Sequence, residues 1–245
     1  MWWGRRLAMV GGFARHLKTL DPATEIPPRG LLPYRMQRVH PYLYSDDDIA
    51  ALMAAARALR SPLRAATYET LIGLLAVTGM RSGEVVRLDR DHIDWDQGVV
   101  VVWNSKFNES RALPVHPSTL DALQRYGRIR DEHIARPKDS SFFVSTAGTR
   151  LNNDDDKTFR RLVRDVGLVS ASGRRPRLHD LRHTFACRVL VGWYRAGVDV
   201  EAQMPLLSTY LGHNRPEHSF WYLSAVPELL LLASERLERQ QDDHR

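Results

Sequence analysis

The sequence predicts a mainly helical protein carrying one small antiparallel sheet. Three observations point there. Apolar residues recur at three- and four-residue spacing between capping signals along most of the chain. A β-branched run, Val99 to Trp103, is followed after a turn-like stretch by a second extended piece, Arg111 to Val115. The 245 residues are 43% apolar and 26% charged, an ordinary globular balance, and the length supports a sizeable core without metals or cross-links.

The elements follow in order. Arg5 to Leu20 reads as one helix, too short to fold alone. Pro22, Pro27, Pro28, Pro33 and Pro41 then interrupt any periodic pattern, so an extended linker is expected up to Tyr44. Ser45 followed by Asp46, Asp47 and Asp48 marks a helix start, with Ile49, Leu52, Met53, Ala56 and Leu59 on one face. Ser61-Pro62 starts another helix, which Gly79 stops. Val99 to Trp103 and Arg111 to Val115 form a hairpin with Lys106 near its tip, and Phe142 to Ser145 is expected to add a third strand. No element is assigned between Val115 and Phe142. Helices are expected over Asp154 to Val166, His179 to Ala196, Glu201 to Leu211, and Pro227 to about Gln240. Two domains result: residues 1–44 and 45–245.

Composition narrows the function classes. No apolar run approaches the roughly 20 residues that span a bilayer. The first twenty residues offer only Leu7 to Ala14 as an apolar stretch, followed by Arg15, His16 and Lys18 where a cleavage site would be needed. The lone Cys187 has neither a disulfide partner nor metal-binding companions, which suits a reducing cytoplasm and reads as core packing. Net charge is +6 and is concentrated. Residues 1–44 hold seven Lys/Arg against two Asp/Glu, and eight arginines face two aspartates between Arg160 and Arg188. Such clusters point to a polyanion, since each neutralised phosphate releases a counterion.

Four motifs then appear in order. Thr78-Gly79-Met80-Arg81-Ser82-Gly83-Glu84 sets an arginine beyond a helix-ending glycine. Ser105-Lys106 leads to Arg111-Ala112-Leu113-Pro114. His179-Asp180-Leu181-Arg182-His183 opens a helix, with His179 and Arg182 on one face. Leu211-Gly212-His213 precedes Tyr222 by nine positions. This set resembles the catalytic domain of the tyrosine recombinases, the phage-integrase family, over about residues 45 to 240. The resemblance implies that family's fold, and a site made of Arg81, Lys106, His179, Arg182, His213 and the nucleophile Tyr222. It implies site-specific cleavage and rejoining of double-stranded DNA through a 3′-phosphotyrosine, in the integration, excision or transposition of a mobile element, by a homo-oligomer, a tetramer on paired sites. Residues 1–44 would then be the last helix and tether of a core-binding domain otherwise cut away. Phe107 and Glu109 depart from the residues usual beside the lysine, and the stretch from Ala196 to Tyr210 is longer than in the simplest members.

The residue types suit that chemistry. Two arginines can clamp a phosphate in bidentate fashion and oppose charge growing on its oxygens. A tyrosine with a reference pKa near 10 needs an acceptor for its proton, here expected to be His179, with the arginines favouring the phenolate. Lys106 would protonate the leaving 5′ oxygen and His213 would donate to the phosphate. No cofactor or metal is expected, because the phosphotyrosine keeps the bond energy needed for rejoining. Competing readings are a DNA-binding remnant without turnover and a type IB topoisomerase; the nine-residue spacing from His213 to Tyr222 favours the recombinase. His183 is expected to cap or pack, and Tyr210 to pack on its helix. The leucines 229, 230, 232 and 237 would anchor the last helix either on a neighbouring protomer, as in related recombinases, or on its own domain.

Overall fold

The protein is described here from a computed structural model. Residues 2–28, 30–32, 40–103, 110–152, 156–170, 173–213 and 221–223 are described, together with 229, 231 and 234. They fall into two compact units, Met1–His40 and Pro41–Arg245. In the first, helix α1 (Trp2–Lys18) buries a stripe of small residues, Gly4, Gly11 and Ala14. Gly4 and Gly11 also line a cavity shared with Pro27 and Pro28 of the following extended segment.

The second unit holds everything else. Helix α2 (Asp46–Arg57) starts as its letters require: the Ser45 hydroxyl accepts from the Asp48 amide, and the Asp48 carboxylate accepts from the Ser45 amide. Helix α3 (Pro62–Thr78) has proline in its first turn, ends on Gly79 at φ 61°, and is the buried axis of the unit. It packs against α2, α5 (Pro117–His133) and α7 (Leu178–Arg195). The short α4 (Ser82–Val86) follows it. Helices α6 (Asp156–Asp165) and α8 (Val200–Leu211) follow, and residues 221–223 are helical as well.

The sheet is three-stranded, in the order β1 (Ile93–Asp94), β2 (Val99–Val102), β3 (Arg111–Pro114). The expected hairpin is present, with Val102 opposite Arg111 and Val99 opposite Pro114. Its connecting turn, including Lys106, lies outside the described residues. The expected third strand is corrected: Ile93–Asp94 takes that place, and Phe142 to Ser145 forms no ladder. Phe142, Phe143 and Val144 are all buried, so there is no alternation of faces. Their amides are satisfied elsewhere, Phe142 donating to the Leu88 carbonyl and Val144 to the Tyr126 hydroxyl.

Helix α5, to which the sequence reading assigned nothing, has Pro117 in its first turn and buries Leu123, Tyr126 and Arg130 along one stripe. One core cluster fills the space between α2, α3, α5, α6 and the sheet. A second lies between α7 and α8 and includes Cys187, Leu190, Met204, Leu211, Tyr222 and Leu229. Tyr210 touches both clusters, its ring stacked on Phe185 at 5.5 Å, as expected for a packing residue. Of the expected last helix, Leu229 is buried in the second cluster and Leu231 is exposed; most of residues 227–240, Leu230, Leu232 and Leu237 among them, lie outside the described residues.

Candidate active site

The site is built where three helix ends meet. Helix α3 stops at Gly79, and Arg81 caps the short α4 behind it. Glu84, with a side chain only 1% exposed, holds that turn. Its Oε2 accepts from the Arg81 amide at 2.9 Å and from Arg111 Nη2 at 2.7 Å, while Oε1 accepts from Arg81 Nη1 at 2.7 Å and Arg111 Nη1 at 3.2 Å. Burial works against the Glu84 carboxylate, yet Arg111 and then Arg81 overcome it and hold its pKa down at about 2.

Helix α8 ends on Gly212 at φ 65°, and the His213 amide donates back to the Ser208 carbonyl at 2.9 Å, a left-handed helix stop. The carbonyls freed at that end are taken by arginines. Arg111 Nε donates to the Tyr210 carbonyl at 2.8 Å, Arg182 Nη2 to that of Leu211 at 2.6 Å, and Arg81 Nη2 to that of Gly212. Arg182 also donates through Nη1 to the Gly79 carbonyl at 2.8 Å, so one guanidinium joins the ends of α3 and α8. Burial and the neighbouring Arg81 charge lower the Arg182 pKa to about 10, which leaves it cationic at neutral pH.

Gly212 has no room for a side chain. A Cβ there would lie 2.8 Å from Arg111 Nη1 and 3.4 Å from Arg81 Nη1, whereas at Gly167, also at positive φ, it would meet nothing within 4 Å. Gly167→Ala is therefore expected to cost about 1 kcal/mol for the backbone alone, and Gly212→Ala about 2–4 kcal/mol. Chemical denaturation of the two variants checks the difference; equal losses would mean the arginines move aside freely.

Helix α7 opens with Asp180 accepting from the Arg177 amide and side chain, each at 2.8 Å. Tyr44 fixes this end, its amide donating to Thr184 Oγ1 and its hydroxyl to the Arg177 carbonyl, each at 3.0 Å. His179 keeps an exposed edge, and its pKa is lowered by desolvation and then by the Arg182 and Arg177 charges. The His183 ring stands 4.9 Å from it, edge to face.

Tyr222 is 2% exposed. Its hydroxyl lies 3.2 Å from His183 Nδ1, and its ring runs nearly parallel to that of His213, centroids 6.2 Å apart. Burial raises the Tyr222 pKa, and Arg182 and Arg81 pull against that rise without reversing it. The expectation that the arginines favour the phenolate thus holds in sign, but desolvation outweighs them.

The structure gathers Arg81, His179, Arg182, His213 and Tyr222 in one cluster, while Lys106 lies outside the described residues. It departs from the sequence reading over His183, whose imidazole, rather than that of His179, reaches the tyrosine hydroxyl. The reading also missed Arg111 and the carbonyls of residues 79 and 210–212 as parts of the framework. Only the spacing of Arg111 from Lys106 hinted at the former. Among the described residues one group, Asp89, Asp91 and His92, brings three potential metal ligands together. They already serve their own turn: the Asp89 amide donates to His92 Nδ1, and the Asp89 carboxylate pairs with Arg150.

Two guanidinium groups, three imidazoles and a phenol on a helical scaffold form the kind of site that handles a phosphodiester. Residues 43–228 match the Phage integrase family, and the chain belongs to that family, the tyrosine-type site-specific recombinases. It is 45% identical over 249 residues to the integrase/recombinase y4rB of Sinorhizobium fredii (strain NBRC 101917 / NGR234), covering 98% of this chain and 79% of the relative. Its fold is similar to that of the XerH recombinase bound to its difH substrate, with TM-score 0.65, 19% identity, 94% of this chain and 62% of that one. It is also similar to a lambda integrase tetramer bound to a Holliday junction, with TM-score 0.58, 20% identity, 84% of this chain and 55% of that one. The chain thus spans about three-fifths of the length of these solved relatives.

Proposed function

We propose that this chain cleaves and rejoins DNA strands at a specific site by transesterification. The Tyr222 oxygen attacks phosphorus, the bond to the 5′ oxygen breaks, and the 3′ phosphate stays on the tyrosine until an incoming 5′ hydroxyl reverses the step. Arg81 and Arg182 oppose the charge that grows on the non-bridging oxygens. His213 and His179 donate to the phosphate. Lys106 protonates the departing 5′ oxygen. No nucleotide need be hydrolysed, since one phosphoester replaces another. The homo-oligomer, a tetramer on paired sites, is part of the same reading.

The observation that carries it is the junction of Arg81 and Arg182 with the α8 end that leads into Tyr222: both guanidinium groups are anchored on the carbonyls of residues 211 and 212. Further support comes from Arg160, Arg161, Arg164, Arg174, Arg175, Arg177 and Arg188. These seven exposed arginines on and around α6 and α7 supply the positive surface a duplex requires.

The test is covalent capture. The protein is incubated with a library of nicked duplexes of random core sequence, whose short 5′-hydroxyl fragment is lost on cleavage, and the protein-linked DNA is recovered and sequenced. A consensus core and a tryptic nucleotide-peptide adduct on Tyr222 are expected, with nothing trapped by Tyr222→Phe. An adduct on Tyr210, or a set of captured sequences without a consensus, would overturn the reading; the latter is the outcome a topoisomerase gives.

A further inference from the structure

The geometry points to His183 as the group that takes the proton from the Tyr222 hydroxyl when that oxygen attacks phosphorus. This rests on the strand-transfer reading above and adds a residue to it. A phenol buried to 2% exposure needs an acceptor within hydrogen-bond reach, because burial makes a free phenolate still harder to form. Among the described residues the candidates are few. Arg81 and Arg182 have no acceptor atom. Both Glu84 oxygens are occupied by Arg81 and Arg111. The His213 ring lies alongside the tyrosine ring at 6.2 Å, and His179 stands one turn before His183 on α7. His183 Nδ1, at 3.2 Å, faces the hydroxyl. With its own proton on Nε2, the ring offers Nδ1 as an acceptor.

The surroundings keep that ring neutral and fixed. Desolvation lowers its pKa to about 4, helped by His179 and Arg182 on its own helix and by Arg177 at the helix cap, and opposed by Asp180. Among the described residues outside α7, the groups facing it are Tyr222, which it touches, and Trp221, whose ring packs edge-on at 5.6 Å. Arg81 and Glu84 act on Arg182. A base this weak accepts a phenol proton only as the new bond to phosphorus forms. At that point the phenolic oxygen loses basicity, and the phosphate charge offsets the arginines that depress the imidazole. The step balances. The O–H bond breaks toward Nδ1, the Oη–P bond forms, the P–O5′ bond breaks, and the 5′ oxygen takes its proton from the acid. On rejoining, His183 returns its proton to the departing tyrosine oxygen.

Single-turnover cleavage of the captured nicked duplex between pH 6.5 and 9 tests this with the full chain. The wild-type rate should be nearly flat, because His183 is neutral throughout. His183→Ala should be slower at pH 7 by about 10²–10⁴-fold and rise about tenfold per pH unit, since cleavage then waits for the free phenolate. His183→Asn keeps an acceptor oxygen near the Nδ1 position but cannot hold a proton, so it should show the same slope; it also carries the test if the alanine variant unfolds. A flat profile for His183→Ala, at the wild-type rate or uniformly below it, would reduce His183 to packing and overturn the inference. A wild-type rate and flat profile for His183→Asn would overturn it as well, by showing that a hydrogen bond suffices. If the wild-type protein forms no adduct, the strand-transfer reading itself fails and takes this inference with it.

Discussion

Arg182→Ala is expected to lose strand cleavage and folding stability together. The guanidinium is 1% exposed and satisfies the carbonyls of Gly79 and Leu211, the last acceptors of two helices. Each carbonyl left unpaired in a buried position costs about 1–3 kcal/mol, so urea denaturation should show a loss of about 3–5 kcal/mol. Single-turnover cleavage should fall by about 10²–10³, the range for removing one preorganised donor from a developing oxyanion. Arg182→Lys separates the two effects. A lysine restores the charge but not a planar fork, so it cannot hold two carbonyls in fixed directions, and stability should recover less than phosphate binding does. An alanine variant within 1 kcal/mol of wild type would show that the carbonyl anchoring contributes little.

The second large effect is expected at Glu84. Its carboxylate is buried between Arg81 and Arg111, and its pKa of about 2 lies below the ordinary 4.5. A depressed folded-state value means stability that is fully present above pH 4.5 and lost as the pH falls from there toward 2. The difference corresponds to about 3 kcal/mol. Glu84→Gln should remove about 3–5 kcal/mol at pH 7, because it leaves two guanidinium groups crowded without their counter-charge. It should also flatten the dependence of stability on pH between 4.5 and 2. Urea midpoints at a series of pH values measure both. A Glu84→Gln protein as stable as wild type at pH 7 would mean that the backbone carbonyls alone hold the arginines.

What could be read from the letters was local. The Ser45/Asp48 capping box, Pro62 in the first turn of α3 and the glycine stops at 79 and 212 are interactions within a few residues, so composition at fixed offsets shows them. Helix α5 escaped because Asp121, Gln124, Arg125, Gly127 and Arg128 dilute its apolar stripe, which becomes clear only once Leu123 and Tyr126 are seen buried. The third strand went astray because Phe142-Phe143-Val144 is apolar and partly β-branched, while the two-residue β1 carries almost no signal. In the site, the side chains with distinctive chemistry were legible. Their backbone supports were not, since the carbonyls of Gly79, Tyr210, Leu211 and Gly212 have no letter of their own. Which of two histidines one turn apart on α7 meets Tyr222 depends on how the segment after His213 packs back, and no spacing records that.

The hydrogen bonds that span the site also set the moment at which it can exist. Gly79 and Arg182 are 103 positions apart, and Arg81 and Gly212 are 131 apart. At elongation speeds of about 5–20 residues per second, roughly 7 to 26 s separate the synthesis of Arg81 from that of Gly212. During that interval α2, α3 and the hairpin have their local contacts, while the guanidinium of Arg81 lacks the carbonyl that orients it. A nascent chain therefore carries the Arg81 charge well before the carbonyl that fixes its direction exists. On the strand-transfer reading, the site can be completed no earlier than this, because Arg81 and Arg182 meet the carbonyls of Gly212 and Leu211 only once the α8 end has been made.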